Sequence, residues 1–461
     1  MIDKLVPFLY VVSAALFALS LRGLADVKTS RWGNWAGAIG MALAIATTLM
    51  AFSVGRYDLL ILAVAVGAVI GVPLAIFMPM TAVPQRTAIS HAFGSLAAAL
   101  VGTAEFYQQT PDIDTFTMAV LSGEMLLGYL TFTGSVLAFG KLQEILPGRP
   151  FIYKGRNFVS FTILGIALVT GIALVANPGQ TILLPVLIVA ALLFGIMLVT
   201  GIGGADMPTV IAILNAYAGL SAAALGFVLN SKILIVAGAL DGSSGLVLAL
   251  LMCKAMNRSF ANVLFGGIGA VTTTRAEVDQ VYGDKVKAST PEEVAMLLAS
   301  SSRVVIVPGY GLAVAQAQHA IKDVTQMLED RGVEVLFGIH PVAGRMPGHM
   351  NVLMAEADIP YEKLKEMDEI NPTFRETDVV IVIGANDVVN PMARNVGSGN
   401  PLAGMPILNV DEAHTVVVIK RSLSPGFAGI PNPLFAADNC LMLFSDAKQA
   451  ALDLVKALKQ A

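Results

Sequence analysis

The sequence predicts two architectures in series: a polytopic α-helical membrane domain of about nine helices, then a soluble α/β domain with a parallel sheet. Three observations carry this. The 461 residues are 56% hydrophobic and only 13% charged, against roughly 25% charged in a soluble domain. Apolar runs of roughly 20 residues, long enough to cross a bilayer as helices, fill the chain up to residue 258. From about Thr290 onward, strand-like and helix-like stretches alternate as in a doubly wound sheet. The boundaries expected are a transmembrane domain at 1–258, a glycine-rich linker at 259–289 and a Rossmann-like α/β domain at 290–461.

The apolar runs fall at Leu5–Leu21, Trp35–Ser53, Leu59–Met78, Pro84–Ala104, Phe116–Gly140, Val159–Ala176, Ile182–Gly201, Pro208–Leu229 and Ile233–Cys253. The first is long for a secretion signal, and Arg22 follows it as a stop-transfer charge would, so it reads as a retained helix. Arg22, Lys28, Arg31, Arg86, Lys141, Arg149, Lys154, Arg156, Lys254 and Arg258 all fall on one side of the bilayer if the span count is odd. Positive charge marks the inside, which puts the N-terminus outside and the C-terminus in the cytoplasm. Cys253 and Cys440 then both lie where thiols stay reduced, and no disulfide is expected. A net charge of -4 without a basic patch excludes nucleic acid as a partner, and no metal site is expected.

In the tail, Val304–Val307, Glu334–Gly338, Val379–Ile383, Pro406–Val410 and Val416–Lys420 read as strands, with helices beginning at Leu312, near Gly348 and near Asp446. The first strand breaks into Gly309-Tyr310-Gly311, the turn of a Rossmann-like dinucleotide site. There Gly309 permits the bend, Gly311 lets the backbone approach a pyrophosphate, Val314 and Ala315 let helix and strand pack closely, and unpaired N–H groups face the phosphates. Polar, glycine-rich loops follow the other strands at 338–351, 384–391 and 420–435, where open α/β sheets bind ligands. The second strand ends at His340 rather than at an acid for a ribose 2′-hydroxyl, while Lys420, Arg421 and Ser422 suit a 2′-phosphate.

Ionisable or strongly polar residues inside the spans mark a candidate ion path. They are His91, Glu124, Asn215 and Asp241. His91 and Asn215 stand at a similar depth, roughly 10 to 12 Å in from the cytoplasmic side, each followed by small residues four and eight positions on that allow helices to approach. Histidine is the side chain best suited to gain and lose a proton near neutrality. Asp206 stands at the mouth of the eighth span, where it is placed to cap the helix.

Taken together, GYGLAVAQAQ, HPVAGRMPGHMNVLMAEA, MDEIN, GANDVVNP, KRS with NPLF, GIGGADMP and CKAMNRS resemble, over the whole chain, the β subunit of proton-translocating NAD(P) transhydrogenases. The resemblance implies direct hydride transfer to NADP⁺ on this chain from NADH on a partner α subunit, coupled to inward proton movement. It also implies a bacterial inner membrane, a dimer of αβ units and a periplasmic N-terminus. By position, Gly309, Tyr310, Gly311, Val314 and Ala315 would lie beside the cofactor, and Val342, Ala343, Gly344, Arg345, Met346 and Pro347 around its pyrophosphate, with Arg345 as the cation. Gly384, Ala385, Asn386, Asp387 and Val388 would form the next loop. Lys420, Arg421 and Ser422 would take the 2′-phosphate, with Leu423, Ser424, Pro425, Gly426 and Phe427 leading into a lid. Asp446 and Ala447 would add a last contact, and His91, Asn215 and Asp206 would serve the proton path and its coupling. Glu124 and Asp241, read from their place inside the spans rather than from the resemblance, would extend that path outward. Phe427 departs from the tyrosine common in the family, and loses its hydroxyl. One proton per hydride is energetically sufficient, because one charge crossing 100 mV provides roughly 2.3 kcal/mol against about 1.4 kcal/mol for a tenfold ratio shift. The competing reading is a transporter or channel gated by a nucleotide-sensing domain, which would need no NADH-bearing partner.

Overall fold

The computed structural model describes residues 2–51, 55–148, 150–257, 259–266, 281–346, 348–395, 400, 402–426 and 428–460. Residues 267–280 of the expected linker, together with Arg149, Arg258, Pro347 and Phe427, lie outside the described residues. Nine helices among those described are long and apolar enough to cross a membrane: α1 (Ile2–Leu24), α2 (Val27–Ala51), α3 (Tyr57–Phe77), α4 (Val83–Gln109), α5 (Thr115–Leu142), α6 (Arg156–Ala176), α7 (Leu183–Thr200), α8 (Met207–Val228) and α9 (Lys232–Ala255). Several outrun their apolar cores. α2 begins eight residues before Trp35, because Lys28 and Arg31 occupy first turns that extend out of the hydrocarbon.

α5 and α8 form the bundle's centre, and their buried residues pack with α4, α6 and α7. By contrast no residue of α3 is buried. α8 and α9 meet along a seam of small residues: a Cβ on Gly219 would stand 2.2 Å from the Gly242 nitrogen, and one on Gly238 2.5 Å from the Ala223 nitrogen. Such backbone proximity replaces the missing hydrophobic drive between helices in lipid with dispersion contacts.

Lys141 and Arg156, counted in the sequence as loop charges, are both buried. They gather the open carbonyls at the end of α7. The Lys141 ammonium donates to Val199, Thr200 and Ile202 at 3.0, 3.1 and 2.7 Å, and Arg156 Nη2 donates to Met197 at 3.1 Å. A helix C-terminus carries partial negative charge and unpaired acceptors, which these cations satisfy.

The soluble domain opens with α10 (Pro291–Ala299), capped by Thr290 and Glu293 in a reciprocal box. Its six strands are β1 (Arg303–Pro308), β2 (Glu334–Ile339), β3 (Leu364–Glu366), β4 (Val379–Ile383), β5 (Thr415–Lys420) and β6 (Cys440–Phe444), ordered 3-2-1-4-5-6 and paired in parallel throughout. This is the doubly wound arrangement, with its switch point between β1 and β4. The helices α11 (Tyr310–Val314), α12 (Gln318–Glu329), α13 (His349–Glu356) and α14 (Ala447–Leu458) complete it. Buried residues on the two sheet faces form separate clusters, one against α10, α12 and α14 and the other under Phe374, Leu434 and Phe435.

Two strand expectations change. Pro406–Val410 is not a strand: Pro406 has no N–H, the Leu408 N–H goes to the Val388 carbonyl at 3.0 Å, and the Asn409 N–H to Asn371 Oδ1 at 3.0 Å. The edges are instead the three-residue β3 and β6.

Candidate functional site

The carboxyl ends of β1 and β4 meet backbone to backbone. The Gly309 N–H donates to the Ile383 carbonyl and the Gly311 N–H to the Gly384 carbonyl, both at 2.9 Å. A Cβ on Gly309 would stand 2.4 Å from the Ala385 Cα, and Gly384 (φ +71°) leaves 2.2 Å to the Leu312 nitrogen. Only glycine fits this seam. The seam also alters the expected chemistry of the turn, since the N–H groups of Gly309, Gly311 and Leu312 are all spent within the fold rather than offered to phosphates. α11 is one short turn, and Gln316 (φ +50°) separates it from α12. Val314 is 58% exposed and does not pack on the strand; Leu312 and Ala313 take the buried positions, with Ala315 half-buried.

After β2, two buried histidines brace the 340–348 loop. His340 Nδ1 accepts from the Val342 N–H at 3.2 Å while its Nε2 pairs with the Pro406 carbonyl at 2.8 Å; His349 Nδ1 accepts from the Arg345 N–H at 3.0 Å. An accepting Nδ1 requires a neutral ring. Burial pushes both down to about 4, helped at His349 by the charge of Arg345. The Nε2 of His349 has no partner among the described residues. Ala343 and Met346 lie in the same loop, Ala343 within the core.

The guanidinium of Arg345 turns to the membrane sector. It donates to the Leu142 carbonyl at the end of α5, which Gln85 of α4 also reaches at 3.2 Å, and pairs with Glu144 at 2.7 Å. Its flat face covers the Tyr310 ring at 4.1 Å. A second link joins Asn257, past α9, to the Ala403 carbonyl at 3.3 Å.

Asn386 and Asp387 tie down the segment that follows β5. The Asp387 carboxylate accepts from the Ala428 N–H at 2.9 Å and lies against Gly426; the Asn386 amide donates to the Ser424 carbonyl at 3.5 Å and its own carbonyl accepts from Asn432 at 3.1 Å. Ala385 and Val388 are buried beneath, and Leu423 packs on the same cluster. Lys420 donates to the Ser424 carbonyl and stands over Phe435 at 5.4 Å; burial lowers its ammonium to about 8, opposed by the charge of Asp387. Arg421 is exposed, and the Ser422 and Ser424 hydroxyls pair at 2.9 Å beside it; Pro425 is exposed too. Asp446 caps α14 through the Lys448 N–H at 3.0 Å, with Ala447 buried behind it, and the Ser445 N–H reaches the Lys420 carbonyl at 3.3 Å.

In the bundle, Asn215 donates to the Asp241 carbonyl of α9 at 3.3 Å rather than to the half-buried His91, whose buried Nδ1 has no partner among the described residues. α4 and α8 do pack against each other, although these small residues also serve other neighbours. Ala99 packs on Gly128 of α5, while Gly219 and Ala223 face α9. Asp241 is exposed on α9, and Glu124 is fully buried. Asp206 is 9% exposed at the start of α8 and makes no side-chain capping bond. Sequence reasoning missed Ser221, Glu144, Gln85 and Asn257, whose roles come only from contacts distant in the chain.

A dinucleotide fits this edge by its chemistry. An exposed guanidinium with two hydroxyls matches a phosphate, and the His349 Nε2 is a buried group without a partner. No cluster able to hold a metal ion occurs among the described residues. A membrane bundle fused to a doubly wound nucleotide domain defines a class of membrane-bound, nucleotide-dependent proteins. Within that class the match is specific: residues 6–457 fit the family described as NAD(P) transhydrogenase beta subunit, and the chain belongs to that family. Two relatives named NAD(P) transhydrogenase subunit beta, both from Rhodospirillum rubrum and one from a defined strain, are each 44% identical over 456 residues, covering 97% of this chain and 98% of theirs. The protein is thus a transhydrogenase subunit with membrane-spanning helices, in a family that uses NAD(P) nucleotides and pairs with an α subunit.

Proposed function

We propose that this chain binds NADP(H) at the carboxyl edge of its sheet and receives hydride there from NADH held by the α subunit, in a dimer of αβ units, as protons move inward through the bundle. The orientation is N-terminus periplasmic and soluble domain cytoplasmic, in a bacterial inner membrane. The cofactor supplies the hydride chemistry, so the residues' work is to bind, align and exclude water.

Arg421 with Ser422 and Ser424 would hold the 2′-phosphate, and Lys420 would contribute charge from beneath the lid. Asp387 and Asn386 hold the lid segment closed. The seam of Gly309, Gly311 and Gly384 lets the loops after β1 and β4 close backbone to backbone, beside where the cofactor would lie. In the bundle, His91 would carry the proton, with Asn215 and Asp206 on the way to the soluble domain.

The observation that supports this reading is Arg345, which joins the loop beside Tyr310 to the end of α5, a link through which nucleotide and proton sites would communicate. Coupling of this kind is reciprocal: if proton occupancy alters NADP(H) affinity, bound NADP(H) alters proton affinity equally. The test is the chain with its α partner in vesicles. NADH-dependent NADP⁺ reduction is expected to accelerate under an imposed inward proton gradient, and the reading fails if turnover is the same energised or uncoupled.

A further inference from the structure

Glu124, on α5, and Ser221, on α8, are both fully buried inside the bundle. Glu124 Oε1 accepts from the Ser221 hydroxyl at 3.0 Å. The same Oγ lies 3.4 Å from the backbone carbonyl of Glu124 itself. The other carboxyl oxygen, Oε2, has no hydrogen-bond partner among the described residues and lies flush against Gly102 of α4, where a Cβ would stand 2.0 Å away. No ion pair reaches the carboxyl among the described residues. The titratable groups on the surrounding helices are Tyr129 on α5, which pairs with Thr103 at 2.9 Å, and Lys141 at its end, Arg86, His91, Glu105 and Tyr107 on α4, Arg156 on α6 and Tyr217 on α8; none is hydrogen-bonded to Glu124.

A carboxylate in a membrane interior with one neutral donor is costly, and such groups earn their place by function. We propose that Glu124 and Ser221 form a second proton-holding site on the path, in which one hydroxyl serves both charge states of the carboxyl. With the carboxyl ionised, Ser221 donates to Oε1. When a proton binds Oε1, the new O–H donates to Ser221 Oγ, and the serine hydrogen turns to the Glu124 carbonyl. One proton is gained or lost, no heavy-atom bond breaks, and every hydrogen on the pair keeps an acceptor.

The location suits a relay. Gln85 meets Leu142 and Gly102 meets Glu124, so α4 and α5 run antiparallel in register. Along α4 the pair is about 16 Å beyond His91, and along α5 about 27 Å from the end held by Arg345, at 1.5 Å per residue. It therefore lies on the far side of His91 from the nucleotide. Gly102 is the clearance that lets the carboxyl fit.

This proposal rests on the proton-coupled reading above, and its test separates the two. The αβ complex in vesicles is compared with its Glu124→Gln and Ser221→Ala variants by gradient-driven NADP⁺ reduction and by infrared difference spectroscopy of the carboxylic acid C=O stretch, with NADP(H) binding as the folding control. A protonated-acid band is expected in the native complex, absent in Glu124→Gln and displaced in Ser221→Ala, with the gradient-driven rate falling tenfold or more in both. A Glu124→Gln complex that responds to the gradient at the native rate, or a Ser221→Ala complex with unchanged band and rate, overturns the proposal alone. A native complex indifferent to the gradient overturns the coupled function as well.

Discussion

Truncating Arg345 to alanine isolates the contact between the two domains. Two of its interactions cross to the membrane sector: the charge-assisted bond to the Leu142 carbonyl, and the pair with Glu144. The first comes from a side chain 9% exposed, and bonds of that kind contribute about 1.5–3 kcal/mol. The second is screened, since the Glu144 side chain is 71% exposed, and is worth about 0–1 kcal/mol. The stack on Tyr310 lies within the soluble domain and does not count toward docking. Gln85 still satisfies the Leu142 carbonyl after truncation, so no orphaned acceptor adds to the loss. The contact should weaken by about 1.5–4 kcal/mol, a roughly 10- to 700-fold rise in the undocked population. Glu144→Gln should cost no more than about 1 kcal/mol. The assay is hydrogen–deuterium exchange of the amides of Gln143, Glu144 and Leu146, which close the turn after α5 onto the carbonyls of Phe139, Lys141 and Gly140. Faster exchange in Arg345→Ala and near-native exchange in Glu144→Gln are expected. Unchanged protection in Arg345→Ala, or equal effects from both variants, would refute the reasoning.

Gly384→Ala should abolish nucleotide binding and lower the thermal midpoint of the soluble domain, because a positive φ costs a side chain roughly 1–2 kcal/mol and its Cβ would collide with the Leu312 nitrogen. Lys420→Met is expected to weaken NADPH binding by roughly 10- to 150-fold, the value of a charge-assisted bond of about 1.5–3 kcal/mol, while leaving NADH titrations unchanged. In the native chain NADPH affinity should fall as pH rises through about 8, where Lys420 surrenders its proton. His340 and His349 have folded pKa values near 4, below the unfolded imidazole at about 6.5. The unfolded chain therefore binds more protons between those values, so the stability is fully present above about pH 6.5 and is lost as pH falls toward 4, by up to roughly 3 kcal/mol each. Denaturant melts from pH 7 to 4.5 should show that decline, flattened in His340→Gln; a decline of the same steepness would discount the histidine.

What the sequence made legible follows from the range of the physics involved. Hydropathy is local, and the nine spans emerge from it, with ends displaced wherever a charged first turn such as that of α2 stays helical. The parallel order of the sheet is legible because each central strand is buried on both faces and reads as an unbroken apolar run. β3 fails that test: it is three residues long and includes Lys365 and Glu366. Pro406–Val410 passes it for the wrong reason, since Ile407, Leu408 and Val410 are apolar because they are buried in the core without being in a strand. Glycines at 309, 311 and 384 are visible in the sequence, but not that two of the loops bond to each other and consume their own donors. Arg345 reads as a ligand for phosphate, and nothing within two hundred residues of it hints at Leu142. The exposure of Val314 and the pairing of Asn215 with α9 likewise depend on neighbours that the chain brings together only on folding.

The glycine seam between α8 and α9 bears on how this protein can be rebuilt. Each helix is shaped to the bare backbone of the other, at Gly219 against Gly242 and at Ala223 against Gly238. A graft that imports α8 from another protein will therefore wedge apart on any side chain it carries at the Gly219 position, whereas the hairpin moved whole brings its own fitted surface. The smallest exchangeable part of this membrane sector, for chimeras or for recombination, is the pair.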